Sequence, residues 1–191
     1  KTTKGGKKTL VSGKRKLEYP WQIFQWNDEI LREQFELFRQ QKLGIQTPES
    51  THVINASHVL IEEGAVVEHA VLNASEGPIY IGKDTVIMEG SFIRGPFAIG
   101  EGSVVKMGTR IYGATTAGPG CTLGGEIRSS VFFGYSNKGH DGYLGHSVIG
   151  EWCNLGAGTS NSNLKNSAGD ICMWDFEKET SQVVGKKCGL I

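Results

Sequence analysis

The sequence predicts an all-β fold, a parallel β-helix of six-residue repeats preceded by one linker helix, and three observations carry this prediction. An aliphatic residue or alanine recurs at every sixth position between Ile81 and Leu123. The residue four positions further on is Ser, Thr or Cys in six of the seven repeats, and glycine often stands just before it. A short repeat of this kind cannot bury its apolar side chain alone, so stacked coils are the expected solution.

Each part of the repeat has a structural reason. The aliphatic positions are Ile81, Ile87, Ile93, Ile99, Val105, Ile111, Ala117 and Leu123. The positions four residues later are Thr85, Ser91, Phe97, Ser103, Thr109, Thr115 and Cys121. Small side chains suit a corner at which the chain turns inward, and glycine suits a corner that needs a positive φ. A period of six gives three faces per coil, so we expect a triangular prism in which Cys121 and Cys153 are inward corner residues.

The composition restricts the partners of the protein. The chain has 191 residues, with 20 Lys and Arg against 20 Asp and Glu, so its formal net charge is zero. A neutral chain without an apolar run of about 18 residues favours neither a nucleic acid nor a membrane as partner. The four cysteines form no CxxC pair, which fits a reduced, cytoplasmic chain. His52, His58, His69 and His146 have no converging carboxylates, so we assign no metal site.

Two segments precede the repeats. Residues 1–17 carry seven Lys or Arg residues and no acidic residue, which is typical of a solvated basic arm. Residues 18–50 predict a linker with an amphipathic helix, for which Pro20 marks the entry and Asn27 or Asp28 is the expected cap. The expected apolar positions of the helix are Ile30, Leu31, Phe35, Leu37 and Phe38.

The β-helix is predicted over residues 53–191, and its repeat slips within that range. Counting in sixes forward from Leu123 and back from Ile149 gives frames that differ by two, which requires a shift near residues 124–130. The backward count predicts Val131, Asn137 and Tyr143 at the aliphatic positions. A break in the repeat opens a coil and turns side chains outward, so polar residues beside it are candidates for a functional site. His140 is the first of these candidates.

Two motifs beyond the slip resemble a known family. The segments "GHDGYLG" (139–145) and "NLGAGT" (154–159), separated by an apolar–Gly hexad and followed by Asn163, resemble the acyltransferase half of the bifunctional N-acetylglucosamine-1-phosphate uridyltransferase/glucosamine-1-phosphate acetyltransferase family. The resemblance covers about residues 81–163. It implies a left-handed β-helix, although the general crossover rule favours right-handed connections. It also implies acetyl-CoA as co-substrate, a sugar phosphate as acceptor, and a homotrimer with sites between neighbouring prisms.

The resemblance assigns roles to residues by position. His140 would be the general base that removes a proton from the sugar amine, a task that suits an imidazole with a pKa near neutral. Tyr143 and Asn154 would bind the sugar. Ala157 would contact coenzyme A through its backbone, and Asn163 would lie near the acyl group.

Two arginines complete the expected site. Arg110 matches a family arginine, and Arg128 stands where the family has a lysine, so the two would clamp the sugar phosphate. The sequence departs from the family after Asn163, because a family lysine falls on Gly169, and Lys165 is a candidate substitute.

The last segment, "CMWDFEKETSQVVGKKCGLI" (172–191), has no counterpart in the acetyltransferase motif. Its Trp174 and Phe176 are expected either to cover a ligand or to pack a hairpin that leaves the coil. The final "CGLI" has the pattern of a new coil, from which we expect the natural protein to continue.

The segment "YPWQIFQWNDEILREQF" (19–35) resembles the linker that joins a sugar-1-phosphate nucleotidyltransferase domain to a β-helix, in proteins grouped as glucose-1-phosphate nucleotidyl- or thymidylyltransferases. The chain has no glycine-rich nucleotide loop, so we do not expect it to make a sugar nucleotide alone. The first hypothesis is therefore the acyltransferase portion of a bifunctional enzyme. One alternative is a non-catalytic β-helix that only trimerises a nucleotidyltransferase domain. A third hypothesis, a carbonic-anhydrase-like hexapeptide protein, needs three histidine ligands on adjacent coils, and the sequence lacks the spacing for them.

Overall fold

A computed structural model describes residues 15–40 and 49–191 of the chain. Helix α1 covers Gln22–Gln40, and a 3-10 turn covers Ala56–His58. The strands in chain order are β1 (His52–Ile54), β2 (Val59–Ile61), β3 (Val66–Val67), β4 (Val71–Asn73), β5 (Ile79–Ile81), β6 (Val86–Ile87), β7 (Phe92–Arg94), β8 (Phe97–Ile99), β9 (Val104–Val105), β10 (Arg110–Tyr112), β11 (Thr115–Ala117), β12 (Thr122–Leu123), β13 (Glu126–Arg128), β14 (Val131–Phe132), β15 (Asn137–Lys138), β16 (Tyr143–Gly145), β17 (Val148–Ile149), β18 (Ile171–Asp175) and β19 (Thr180–Gly185). The predicted basic arm falls largely outside the described residues.

Three parallel sheets form the faces of a prism. Sheet A contains β1, β4, β7, β10, β13 and β16; sheet B contains β2, β5, β8, β11, β14 and β17; sheet C contains β3, β6, β9, β12 and β15. Each coil thus contributes one strand to each face, and neighbouring strands within a face belong to successive coils. This arrangement confirms the predicted parallel β-helix with a helix ahead of it. Its left-handed winding stays a prediction of the resemblance.

The inward positions of the coils build one apolar column. Ile81 and Ile99, which pair between β5 and β8, are fully buried, as is Leu123 on sheet C. Each such side chain contributes about 1.5–3 kcal/mol by its removal from water. The column explains why the six-residue period is strict over these coils, since every sixth side chain enters the same dry interior.

Hydroxyl groups close the corners between the faces. Thr85 Oγ1 donates to the carbonyl of Gly100 at 3.0 Å, and Ser103 Oγ donates to the carbonyl of Gly118 at 3.1 Å, so each hydroxyl ties its coil to the next. A buried hydroxyl needs such a partner, because an unpaired one costs about 1–3 kcal/mol. The prediction that Ser, Thr and Cys mark inward corners is confirmed for the buried Cys121, whereas Cys153 is half-buried.

The predicted frame beyond the slip is wrong by one residue. The side chains that enter the column are Phe132, Lys138 and Leu144, not Val131, Asn137 and Tyr143. The physical reason lies in the corner lengths. Leu123 and Ile127 are separated by four residues instead of six, and two later steps, from Ile127 to Phe132 and from Leu144 to Ile149, measure five. A count in sixes back from Ile149 therefore lands one residue short of every inward position.

Helix α1 begins earlier than the sequence predicts. Its first residue is Gln22, and Pro20 lies two residues before it, in the turn that leads into the helix. The side-chain oxygen of Gln22 accepts hydrogen bonds from the backbone amides of Glu18 and Tyr19. The prediction of Asn27 or Asp28 as the cap is therefore wrong, since both lie inside the helix.

Asn27 has a different role, because it fastens the helix to sheet B. Its side-chain amide donates to the carbonyl of Ala114 at 2.9 Å, and its oxygen accepts from Thr116 Oγ1 at 2.8 Å. The buried face of the helix consists of Phe24, Asn27, Leu31 and Phe35. Two predicted apolar positions, Ile30 and Leu37, are instead 39% exposed each.

The chain completes a further coil above β15, β16 and β17, and a hairpin interrupts that coil. Asn154 bridges to Asn137 on sheet C, and the amide of Asn161 donates to Tyr143 on sheet A. The amide of Val148 donates to Leu190, so residues 188–190 stack on sheet B as the "CGLI" pattern predicts. Between these two segments of the coil, β18 and β19 form an antiparallel hairpin, which confirms the predicted excursion.

The hairpin packs one of its faces against the start of helix α1. Ile171, Met173 and Val184 contact the cluster that contains Trp21 and Phe24. Gln25 supports this contact by donating to the carbonyl of Val184 at 2.9 Å. The opposite face carries Trp174, and Phe176 follows it near the turn; their side chains are 53% and 85% exposed.

Candidate functional site

A groove of about 500 Å³ runs along the outer face of sheet A. The groove is lined by Val71, Asn73, Glu76, Phe92, Ile93, Arg94, Arg110, Ile111, Tyr112, Gly113, Arg128 and Ser129. In each strand of this sheet, the residues just before and just after the inward residue point outward. Stacked over successive strands, these outward side chains form two columns. Arg110 pairs with Glu126 in one column, and Tyr112 pairs with Arg128 in the other. The parallel ladder thus brings the two predicted phosphate-binding arginines onto neighbouring strands, about 4.8 Å apart along the prism.

Each arginine has a distinct environment in the groove. The Arg110 Nε atom lies 3.9 Å from Glu126 Oε2, while the Tyr112 hydroxyl donates to Glu126 Oε1 at 2.6 Å. The Arg128 guanidinium lies over the Tyr112 ring, with its central carbon 5.4 Å from the ring centroid. The hydrogen bond to Glu126, together with burial, raises the pKa of Tyr112 to about 12, so this phenol keeps its proton. Planar guanidinium groups on a fixed face are suited to bind a phosphate through paired hydrogen bonds.

A third arginine lines the same groove. Arg94 is the last residue of β7, and its Nη1 atom lies 2.9 Å from Glu76 Oε1. It shares a column with Tyr112 and Arg128, two strands below the latter. Sequence reasoning missed Arg94 because no family motif marks it. Its position directly after an inward isoleucine, on the same side as Arg128, is the signal that could have found it.

One coil above Arg128, the side-chain amide of Asn163 joins two side chains at β16. The Asn163 Nδ2 atom donates to the Tyr143 hydroxyl at 2.8 Å and to His146 Nδ1 at 2.7 Å. Two of the predicted site residues, Tyr143 and Asn163, are thus in direct contact. An amide nitrogen can only donate, so Nδ1 of His146 must be the unprotonated nitrogen in this arrangement.

His146 lies at the border of a second cavity, of about 600 Å³, between the prism, helix α1 and the hairpin. Its ring meets Phe24 edge to face, with the centroids 6.0 Å apart. Burial, with the nearby charges of Lys187 and Arg128, lowers the pKa of His146 to about 4. Sequence reasoning considered this histidine only as a metal ligand and missed its contact with Asn163.

The lowered pKa of His146 predicts a loss of stability in acid. The unfolded histidine titrates near pH 6.5 and the folded one near pH 4, so between these values the unfolded state binds more protons. The free energy of unfolding should therefore fall as the pH falls from about 6.5 to about 4. A His146→Asn variant should show a shallower fall over this window in urea titrations.

His69→Asn is the matched control for this measurement. Both histidines have a positive φ, near 50°, which asparagine tolerates, but His69 is exposed. The control should retain the parent slope of stability against pH. Equal slopes for the parent and His146→Asn would contradict the prediction.

His140 lies at the corner between sheets C and A, in the short segment 139–142 that precedes β16. Its side chain is exposed, and its main-chain carbonyl accepts a hydrogen bond from Lys138 Nζ at 2.7 Å. The corner below, Gly124 and Gly125, packs backbone against backbone with this segment, since an added Cβ on Gly124 would meet the Gly139 carbonyl carbon at 2.7 Å. The corner is therefore tight on its inner side while the imidazole faces solvent.

The remaining predicted residues lie on the coil above the corner. Asn154 is exposed at the top of sheet C, and its Oδ1 atom accepts from Asn137 Nδ2 at 2.9 Å. Ala157 is exposed in the turn that follows. Lys165, the candidate substitute for a family lysine, is exposed and donates to the carbonyl of Asp170. None of these three side chains lines the groove of the arginines.

Within residues 15–40 and 49–191, no group of three or more His, Cys, Asp or Glu side chains is arranged to hold a metal ion. Among these described residues, no helix has both the length and the apolar character needed to cross a bilayer. Fold and site together define the class of molecule: a three-sided parallel β-helix with a cationic groove on one outer face and a histidine-bearing corner beside it. Neither a protein-family model nor a curated protein matches the chain.

Proposed function

We propose that this chain is the acyltransferase portion of a bifunctional sugar-1-phosphate nucleotidyltransferase, and that it transfers an acetyl group from acetyl-CoA to an amino-sugar phosphate. One observation carries the proposal: Arg110 and Arg128 project from neighbouring strands into one groove, near the coil that holds Tyr143 and Asn163. Fixed guanidinium groups are what binding of a sugar phosphate requires.

The chemistry needs a base within reach of the amine. The amine nitrogen of the sugar would attack the thioester carbonyl, so that a C–N bond forms and the C–S bond to coenzyme A breaks. The exposed imidazole of His140 would take the proton that the nitrogen loses and pass it to the leaving thiolate. Tyr143, held by Asn163, and Asn154, paired with Asn137, would orient the sugar, and the Ala157 backbone with Asn163 would contact the acyl donor.

A homotrimer would complete such a site, because the proposed residues project from two faces of the prism. The exposed Phe92 in the groove and the exposed Trp174 and Phe176 of the hairpin support a further apolar partner surface on this chain. The four free cysteines support a reducing compartment, and we propose the cytoplasm.

A non-catalytic trimerising β-helix is the second candidate. It is favoured by the course of the chain after Asn163, which leaves the coil for a hairpin, and by the hydrogen bond that directs Lys165 to Asp170. The two candidates differ in whether the groove binds a sugar phosphate.

The binding step is tested with an Arg128→Met variant and glucosamine 1-phosphate in isothermal titration calorimetry. Loss of a charged hydrogen-bond partner should weaken binding by about tenfold to hundredfold. Arg39→Met is the control, since Arg39 lies on helix α1 and pairs with Glu36 away from the groove. Equal affinities of the two variants, or no binding by the parent chain, would contradict the proposal for the groove.

A further inference from the structure

One position in the inward column carries a charged side chain. Lys138 occupies the place of an aliphatic residue above Leu123 on sheet C, and it is 1% exposed. Below it, the same column contains Val67, Ile87, Val105 and Leu123, all buried. A lysine is very seldom buried to this degree unless its ammonium group has partners.

The partners of Lys138 are two main-chain carbonyls of the corner between sheets C and A. Nζ donates to the carbonyl of His140 at 2.7 Å and to that of Gly124 at 3.3 Å. One acceptor lies in the same coil and the other in the coil below. The side chain therefore spans the two coils at the point where His140 leaves the prism.

The regular coils show why these carbonyls need a donor. Two coils below Lys138, the carbonyl of Lys106 follows the inward Val105 and accepts from two hydroxyls, Ser91 Oγ at 3.0 Å and Thr109 Oγ1 at 2.5 Å. The corresponding carbonyl one coil higher belongs to Gly124. The shortened corner 124–126 and the corner 139–142 contain no Ser or Thr. The ammonium group of Lys138 thus supplies the donors that corner hydroxyls supply elsewhere.

We propose that Lys138 is the positioning residue of this site, a buried strut that holds the main chain of His140 against the coil below and so fixes where the imidazole projects. Burial lowers the pKa of Lys138, and the charge of Asp141 opposes this shift. The strut acts through the backbone of His140 and does not touch a substrate. Only its kinetic consequence rests on the proposed acetyl transfer.

A Lys138→Met variant tests the strut, because methionine fills the column and removes both donors. We expect the backbone carbonyl ¹³C resonances of Gly124 and His140 to move, and the ¹⁵N order parameters of residues 139–142 to fall from about 0.85 to below about 0.6. Lys106→Met is the control, since Lys106 is exposed at the corresponding corner two coils lower. A folded Lys138→Met protein with parent order parameters would overturn the proposal.

The kinetic arm separates this inference from the proposed function. In Lys138→Met, kcat for acetyl transfer should fall by about tenfold to hundredfold with little change in KM, because a displaced base slows the step and leaves binding intact. If the parent chain shows no acetyl transfer, the proposed function is contradicted. The NMR measurements then test the role of Lys138 independently. An unaltered kcat in an otherwise active variant would count against the positioning role.

A measurement on the parent protein covers the case in which Lys138→Met does not fold. The Nζ protons of Lys138 should exchange with water at least about a hundredfold more slowly than those of Lys106, because they are buried and hydrogen-bonded. Heteronuclear NMR of the lysine side chains measures both rates. Exchange as fast as that of Lys106 would show that the ammonium group is not held at the corner.

Discussion

Replacement of His140 by alanine should reduce acetyl transfer to glucosamine 1-phosphate by about 10²–10⁴-fold, the usual contribution of a general base. The imidazole of His140 is exposed at a tight corner, and the hydrogen bond that this residue makes with Lys138 uses its main-chain carbonyl. Loss of the imidazole should therefore leave the prism folded. The attacking amine must lose a proton as it bonds to the acyl carbon, and the other ionisable side chain of the 139–142 corner, Asp141, carries a carboxylate, ordinarily a weaker base than an imidazole. Thiol release from acetyl-CoA measures the rate.

His52→Ala is the matched control for this experiment. His52 is also exposed, but it lies on β1, at the end of sheet A opposite β16, which follows the corner of His140. The control should keep the parent rate. If the parent and His140→Ala show the same near-zero turnover while sedimentation equilibrium gives the mass of three chains, the trimerising β-helix is the better reading.

Truncation of Phe132 to alanine should cost about 3–5 kcal/mol of the free energy of unfolding, since it leaves a cavity in the column. Phe132 is 1% exposed and sits where the shortened coil stacks on Ala117. Urea titration followed by far-ultraviolet circular dichroism measures the loss. The same experiment tests the corrected frame, because a frame shifted by one residue would turn Phe132 outward.

The adjacent Phe133 provides the control for the core truncation. Its side chain is 47% exposed, so Phe133→Ala should change the stability by less than about 1 kcal/mol. Losses of similar size in the two variants would show that the inward and outward assignments at this corner are incorrect.

The regular coils could be predicted from the sequence because the same corner length, with the same burial of every sixth side chain, repeats in them. From Ile81 to Leu123 every corner has the same length, so side chains six apart meet the same interior and residues four places on meet the same corner. Corner hydroxyls such as Thr85 and Ser103 follow from this rule. Nothing in that stretch competes with it.

Prediction failed where the corner length or the type of inward residue changes. The corner at Gly124 and Gly125 is two residues shorter than those below it, and a count of aliphatic positions cannot register a coil in which lysine takes the inward place. Lys138 reads as a surface residue until its two carbonyl partners are seen. Asn27 is likewise predicted as a helix cap, because its two partners at β11, Ala114 and Thr116, lie 87 and 89 residues away in the sequence.

Motif spacing identified only part of the candidate site. The order of "GHDGYLG" and "NLGAGT" led to Tyr143 and Asn163, which are hydrogen-bonded to each other. It gave no indication of Arg94, because this residue reaches the groove through stacking of coils. His146 directly follows the first motif, but its contact with Asn163, 17 residues further on, depends on how the coils stack. Contacts between coils arise from coil length, which varies from 15 residues between Ala117 and Phe132 to 21 between Leu72 and Ile93.

The hairpin enters and leaves the prism at one level, since Asn163 ends its stacking on sheet A and Cys188 resumes it beside sheet B. Its length is therefore independent of the register of the coils, and its contacts with the start of helix α1, at Trp21, Phe24 and Gln25, limit its shape. The outward side of this hairpin is therefore a suitable place to insert foreign peptides, for display or for labelling, without a change in the coils beneath it.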